Sequence, residues 1–207
     1  MNLLDSNAIL YSFGSLAVFG AALIIYLETA TIFGSFLPGD SLLFLLGLAL
    51  ATWLTEFPIW IAIPILFVAA VAGSQTGYWF GKKIGPKLFK QRETFFFNHK
   101  TVERTKVFFD KYGARSIVLS RFVPVLRALI PMFVAIGHFD PKRFWKLNLI
   151  GGAAWTVGLV GGGYLLGQID YVAKHVEVFV IGFVILSSLP LPFELLREKL
   201  KSQKSRA

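Results

Sequence analysis

The sequence predicts an all-α polytopic membrane protein. Of its 207 residues, 55% are hydrophobic, the mean hydropathy is +0.64, and segments with few or no charges recur along the whole chain. A composition of this kind excludes a water-soluble globule, because the bilayer is the solvent in which such segments are stable. We therefore predict one membrane domain over residues 1–207, with about four transmembrane helices and two re-entrant hairpins.

Four segments are suited to cross the bilayer as helices. A span needs roughly 20 apolar residues, and the segments that meet this requirement are 8–27, 57–81, 147–169 and 171–193. The first has no basic residue ahead of it and no small-residue cleavage site before Glu28. We expect it to be a retained membrane helix and not a signal peptide.

Two further apolar segments are poor candidates for simple spans. Residues 41–55 are too short, and residues 116–137 contain Arg127 between two prolines. We predict that both dip into the membrane and return, the first over about residues 29–55. The breaks of the two hairpins are predicted at Pro38 and Gly39, and at Pro124 and Pro131.

The distribution of basic residues predicts the topology. No Lys or Arg precedes Lys82, and the later ones cluster in a loop at 82–115, around Lys142, and in a tail at 194–207. Basic loops stay in the cytoplasm, so a second re-entrant segment is needed to keep all three clusters inside. The N-terminus is then cytoplasmic, and Glu56 and Asp170 face outward. Two hairpins that enter from opposite faces form an inverted repeat.

The same distribution explains the net charge of +9 without a nucleic acid. Basic residues beside membrane spans attract anionic lipid headgroups. The stretch around Val102–Tyr112 alternates aromatic and basic residues and is typical of an amphipathic helix on the inner leaflet. We expect no nucleic-acid partner.

Four charged residues in or beside the two hairpins are the candidate site. They are Glu28, Asp40, Arg121 and Arg127. A charge at membrane depth costs about 2.5–3.5 kcal/mol on insertion scales, so it is usually paired or functional. The planar forks of Arg121 and Arg127 suit a phosphate group, whereas Glu28 and Asp40 are suited to exchange protons when desolvated. The alternative is that the four are structural salt bridges that close the hairpins onto each other.

Other residues are interpreted as packing or surface positions. Gly73, Gly77, Gly81 and Gly85 recur every four residues, which favours close approach of a second helix. Gln75, Asn148 and Trp155 fit interhelical hydrogen bonds or interface anchors better than a polar cavity. The chain has no cysteine, and its three histidines are far apart in sequence. We therefore expect no metal, no cofactor and no enzymatic activity.

Several ordered motifs resemble the DedA family of bacterial inner-membrane proteins, also described as SNARE-associated or VTT-domain proteins. The resemblance extends over roughly residues 20–197. Its motifs are Leu27-Glu28-Thr29, the stretch Phe36-Leu37-Pro38-Gly39-Asp40-Ser41-Leu42-Leu43-Phe44, Gly77-Tyr78 with Gly81 and Gly85, Tyr112-Gly113, Arg121-Phe122-Val123-Pro124 with Arg127 and Pro131, Gly137-His138, and Gly151 with Trp155.

The resemblance implies a lipid transporter that depends on the proton-motive force and supports envelope homeostasis. It implies substrates such as undecaprenyl phosphate or phosphatidylethanolamine, and it places the important acids and arginines of the family on Glu28, Asp40, Arg121 and Arg127. One position departs from the family pattern: many relatives have an acid after the glycine that is here Gly73, and this chain has Ser74. Proton coupling is expected to differ if that acid takes part.

Three other functions remain open from the sequence. They are a proton-coupled small-ion or drug antiporter, an uncoupled scramblase, and a scaffold that transports nothing. The sequence does not determine the lipid, the direction of movement or the proton stoichiometry. It also leaves the oligomeric state open, with a homo-oligomer as one alternative.

Overall fold

The described part of the protein is built from helices. The computed structural model describes residues 6–31, 34, 38–88 and 99–175, and no strand occurs within these ranges. The helices are α1 (Ser6–Ala30), α2 (Gly39–Thr52), α3 (Ile59–Leu88), α4 (His99–Tyr112), α5 (Ser116–Leu119), α6 (Pro124–Ile136), α7 (Pro141–Gly167) and α8 (Asp170–Lys174). Short 3-10 turns at Gly113–Arg115 and Ser120–Phe122 flank α5.

Two of the described helices are long and apolar enough to cross a membrane. They are the stretch Ile59–Lys83 of α3 and the whole of α7. Helix α1 covers the predicted first span, although its described apolar part, Gly14–Ala30, is shorter. The predicted span 171–193 lies outside the described residues from position 176 onward. An all-helical membrane protein is therefore confirmed, while the re-entrant arrangement stays a prediction.

Each predicted hairpin segment contains a short helix. Helix α2 has 14 residues and α6 has 13. At 1.5 Å per residue each is about 20 Å long, against a hydrocarbon core of about 30 Å. Helix α2 packs against α7, and α6 packs against α3. Each short helix thus lies on the long helix of the other half of the chain.

The structure corrects the predicted role of Pro131. Helix α6 begins at Pro124 and continues through Pro131 to Ile136, so Pro131 marks no break. A proline inside a helix removes the hydrogen bond to the carbonyl four residues earlier, which here is that of Arg127. The surrounding contacts keep α6 helical despite this loss, because Ile130 and Val134 lie in a buried cluster with Tyr78 and Phe144.

The structure also corrects the boundaries of the basic loops. Helix α3 continues through Lys82 and Lys83 into the predicted loop 82–115, whereas α4 coincides with the helix predicted around Val102–Tyr112. Lys142, which was assigned to a loop, lies in the first turn of α7. The Asp140 carboxylate accepts hydrogen bonds from the amides of Lys142 and Arg143, both at 3.2 Å, and Pro141 occupies the first helical position. A capped start with proline at this position is a strong helix signal.

A buried apolar cluster joins α1, α2, α3 and α7. Its largest members include Ile25, Leu43, Leu66 and Trp155, each no more than 1% exposed. Helices α2 and α7 approach closely because glycines face backbone at the contact: a Cβ on Gly47 would meet the carbonyl of Val160. The polar side chains described next lie at the border of this cluster.

Candidate functional site

The first carboxylate of the site, Glu28, is fully buried near the end of α1. Its Oε1 accepts a long hydrogen bond of 3.4 Å from the amide of Gly39, the first residue of α2. A Cβ at position 39 would collide with Oε2 of Glu28, so any larger residue would force that carboxylate to move. The carboxylate therefore lies at the N-terminus of α2, where the partial positive charge of the helix favours an anion.

The second carboxylate, Asp40, lies in the first turn of α2 and is only partly buried. Its side chain is 35% exposed, whereas that of Glu28 has no exposed surface. Asp40 Oδ1 accepts a hydrogen bond from the indole nitrogen of Trp155 on α7 at 2.7 Å. Of the two acids, only Asp40 has an exposed part of its side chain.

Arg127 links the two carboxylates. It lies in the first turn or so of α6 and is 4% exposed. Its Nη1 donates to Asp40 Oδ1 at 2.9 Å, and its Nη2 donates to Glu28 Oε1. The guanidinium carbon also lies 5.3 Å from the centre of the Trp155 ring, which places the cation over the aromatic face. We call Glu28, Asp40 and Arg127 the ion triad.

The triad leaves two polar atoms without partners. Glu28 Oε2 and Arg127 Nε are buried and have no hydrogen bond within the described residues. Buried polar atoms are normally satisfied, so an unpaired acceptor and an unpaired donor within one ion cluster mark a functional candidate. With both acids ionised the triad has a net charge of −1, the sum of two carboxylates and one guanidinium.

Arg121 lies apart from the triad. It occupies the 3-10 turn between α5 and α6 and is 4% exposed. Its Nη2 donates to Asn148 Oδ1 on α7 and to the carbonyl of Ala70 on α3 at 3.3 Å. No ion pair joins it to a carboxylate within the described residues. The prediction grouped the two arginines, whereas the structure gives them different partners.

The predicted packing glycines lie on α3. Gly73 and Gly77 face α1, where a Cβ on Gly73 would collide with Thr29. A Cβ on Gly81 would lie 2.6 Å from the backbone of Met132 on α6. For Gly85 only the helical backbone is described. Within the described part of the chain, no three His, Asp or Glu side chains form a group that could hold a metal ion.

Asn148 and Trp155 proved more central than the sequence indicated. Both were interpreted as hydrogen-bonding or anchoring residues, and both do form such bonds between helices. Their partners are the functional candidates Arg121 and Asp40 themselves. One signal was available: Asn148 and Trp155 are seven residues apart, so they lie on the same face of α7 two turns from each other.

Comparison with known sequences identifies the family. The VTT domain matches residues 37–165, which is more than half of the chain. Protein DedA of Escherichia coli K12 is 31% identical over 177 residues, covering 86% of this chain and 81% of that protein. The chain belongs to the DedA family of VTT-domain membrane proteins.

Other DedA-family relatives support the same assignment. The uncharacterized membrane protein Rv0364 of Mycobacterium tuberculosis H37Rv is 36% identical over 178 residues, covering 86% of this chain and 78% of the relative. The inner membrane protein YghB of Escherichia coli K12 is 30% identical over 162 residues, covering 78% and 73%. None of the solved structures matches the chain. The VTT match begins after Glu28 and includes Asp40, Arg121 and Arg127. The family match and the relatives together confirm the resemblance that the motifs indicated.

Proposed function

We propose that this DedA-family protein moves a lipid with a phosphate headgroup between the leaflets of the bacterial inner membrane and uses the proton-motive force to do so. The substrate is an anionic isoprenoid phosphate such as undecaprenyl phosphate, or a phospholipid such as phosphatidylethanolamine. The observation that supports this most directly is the ion triad, in which Arg127 is bound to two carboxylates inside an apolar bundle.

The charge of the triad supports proton coupling. Its net charge of −1 is unfavourable inside the membrane, and one bound proton makes the group neutral. Asp40 is the accessible acid and Glu28 the fully buried one, so a proton would reach Asp40 first. Arg127 would remain bound to Glu28 after that step.

Competition between anions would link the proton to the lipid. The carboxylates occupy Nη1 and Nη2 of Arg127, the two terminal donors that a phosphate would need. Protonation of Asp40 weakens one of these bonds and frees Nη1 for a phosphate oxygen. Deprotonation would restore the carboxylate bond and displace the phosphate. The lipid is therefore held only while the proton is bound.

The lengths of the short helices support a site inside the membrane. Helices α2 and α6 are each about two thirds of the length needed to cross the core. Both place a charged residue near their N-terminus, Asp40 on α2 and Arg127 on α6. Short helices that end inside the bilayer and meet at their termini are the arrangement by which transporters form substrate sites near the midplane. The proposed topology puts the N-terminus, α4 and the C-terminal tail in the cytoplasm.

The test is transbilayer movement of a fluorescent lipid phosphate in proteoliposomes, measured with and without an imposed pH gradient. We expect the wild type to respond to the gradient and Asp40→Asn to lose that response. Arg127→Lys retains the charge but loses the planar fork, so we expect it to lose most transport. Movement that ignores the gradient would indicate a scramblase. Movement of neither undecaprenyl phosphate nor phosphatidylethanolamine would contradict the proposal and favour an antiporter or a scaffold.

A further inference from the structure

The Arg121 guanidinium is a buried positive charge whose partners are all neutral. Its Nη2 bonds are to the amide oxygen of Asn148 and the carbonyl of Ala70. Its Nη1 is buried and has no hydrogen-bond partner among the described residues. In contrast to Arg127, it therefore has no carboxylate partner within the described part of the chain.

Asn148 is held in one orientation. Its side chain is completely buried, and its Nδ2 donates to the carbonyl of Val71 at 3.0 Å. Because the side-chain nitrogen of Asn148 donates to α3, its oxygen is the atom that faces Arg121. An asparagine fixed in this way positions the guanidinium without neutralising it.

Close packing holds the Arg121 side chain against α7. A Cβ on Gly151 would lie 3.5 Å from Arg121 Cγ and 3.2 Å from the backbone of Val118. The glycine thus lets the aliphatic part of the arginine lie flat on the helix while the guanidinium reaches α3. The position of the charge is determined by three helical elements together.

We infer that Arg121 and Asn148 form a phosphate-selective subsite, in which the neutral amide of Asn148 is the specificity-determining feature because it leaves the arginine charge for a lipid phosphate. An arginine inside a membrane that has no carboxylate partner among the described residues is unfavourable by several kcal/mol, so its retention favours a bound anion as its counter-ion. The two acids of the triad are already bound to Arg127. A phosphate without an attached ammonium group therefore fits better than a zwitterion.

This inference rests on the proposed function, in which Nη1 of Arg127 donates to a phosphate oxygen once Asp40 is protonated. Arg121 provides the second cation for that phosphate and completes the charge balance. The triad has a net charge of −1 and the subsite +1. When one negative charge of the phosphate binds at Arg121 and one proton binds at the triad, the net charge of the two sites together is unchanged. Proton and lipid anion would then cross the low-dielectric region as a neutral pair, which removes most of the electrostatic cost of moving either one alone.

The test replaces the neutral partner with a charged one of the same shape. Asn148→Asp keeps the oxygen that faces Arg121 but neutralises the arginine. The control is Gln168→Glu, which makes the same change of charge on an exposed residue at the end of α7. We expect Asn148→Asp to reduce the movement of fluorescent undecaprenyl phosphate by about tenfold or more, since buried charge pairs of this kind couple by more than 1.4 kcal/mol. Gln168→Glu should match the wild type.

Binding is measured separately from transport, so that the two proposals can fail independently. The shift in thermal unfolding temperature on adding undecaprenyl phosphate, phosphatidylethanolamine or inorganic phosphate reports binding in detergent. We expect undecaprenyl phosphate to stabilise the wild type more than phosphatidylethanolamine does, and Asn148→Asp to lose that effect. Stabilisation by inorganic phosphate alone would identify a soluble anion as the ligand and overturn the lipid assignment.

A second variant covers the case in which Asn148→Asp does not fold. Arg121→Gln removes the charge and leaves an amide beside Asn148. If the arginine is retained for binding, the variant without ligand should unfold at the same temperature as the wild type or higher, and should lose stabilisation by undecaprenyl phosphate. A variant that unfolds earlier yet keeps the full stabilisation would make Arg121 structural. Transport by the wild type that Asn148→Asp leaves unchanged would overturn the subsite and leave the proposed function standing.

Discussion

The indole nitrogen of Trp155 donates a 2.7 Å hydrogen bond to the same Asp40 oxygen that accepts from Arg127. This one oxygen therefore joins α2, α6 and α7. Protonation of Asp40 therefore weakens its hydrogen bonds to both Arg127 on α6 and Trp155 on α7. Trp155 is therefore a positioning residue. Its indole N–H binds Asp40 and its ring lies beneath Arg127, but it has no group that exchanges protons at neutral pH.

Trp155→Phe should separate these two contacts. The phenyl ring keeps an aromatic face under Arg127 but removes the hydrogen bond to Asp40. Loss of a hydrogen bond to a charged group costs about 1.5–3 kcal/mol, so we expect a lower unfolding temperature and a shifted pH profile of transport. The control is Trp60→Phe, because Trp60 is 73% exposed. Equal behaviour of the two variants would remove Trp155 from the site.

Gly39→Ala should disturb the triad without changing any charge. The added methyl group would collide with the Glu28 carboxylate, and overpacking of a buried position costs about 1–3 kcal/mol. We expect weaker lipid transport and earlier thermal unfolding in detergent. Gly158→Ala is the matched control, since a Cβ there has no neighbour within 4 Å. A Gly39→Ala protein as stable as the control would show that the Glu28 carboxylate lies elsewhere.

Breaking the Glu28–Arg127 pair from either side should be costly, and breaking both together less so. Removing one partner of a buried ion pair costs about 3–5 kcal/mol, because the other charge is left uncompensated. We expect Glu28→Gln and Arg127→Gln each to lower the free energy of unfolding by about this amount. The double variant should lose much less than the sum of the two single losses. Asp40→Asn should cost less, because Asp40 is partly exposed. Strict additivity of the two single variants, measured by reversible denaturation in detergent, would exclude the pairing.

The start of α7 should be labelled from the cytoplasm. The chain has no cysteine, so single-cysteine variants need no altered background. Lys142 is exposed in the first turn of α7, and Glu56 is exposed between α2 and α3. We expect a membrane-impermeant maleimide added to intact spheroplasts to label Glu56→Cys and to miss Lys142→Cys, with the reverse pattern in inverted vesicles. Labelling of both from one side would contradict the proposed topology.

The sequence was sufficient to predict the helical class and the residues of the triad. Long charge-free segments have few alternatives to a membrane helix, and charged residues are so unfavourable there that Glu28, Asp40, Arg121 and Arg127 stood out without any structure. The short helices α2 and α6 were also anticipated, since the segments that contain them are too short or too interrupted to span.

The partners of these charges could not be predicted. Glu28 and Arg127 are 99 positions apart, and no local pattern determines which arginine meets which acid. The choice depends on how α6 lies against α3, and that packing follows from the shapes of buried side chains such as Ile130 and Tyr78. Pro131 misled for a related reason: proline lowers helix propensity locally, but tertiary packing decides whether the helix continues.

The long separation between Glu28 and Arg127 also affects how the chain is made. At a synthesis rate of about 5–20 residues per second, the ribosome needs on the order of 5–20 s to pass from one residue to the other. During that interval α1 enters the membrane with an acid whose partner does not yet exist. Translation that stalls before α6 would leave this acid without its arginine, and an unpaired charge in the bilayer is unfavourable. The Glu28–Arg127 pair therefore forms only in a chain that has been synthesised as far as α6.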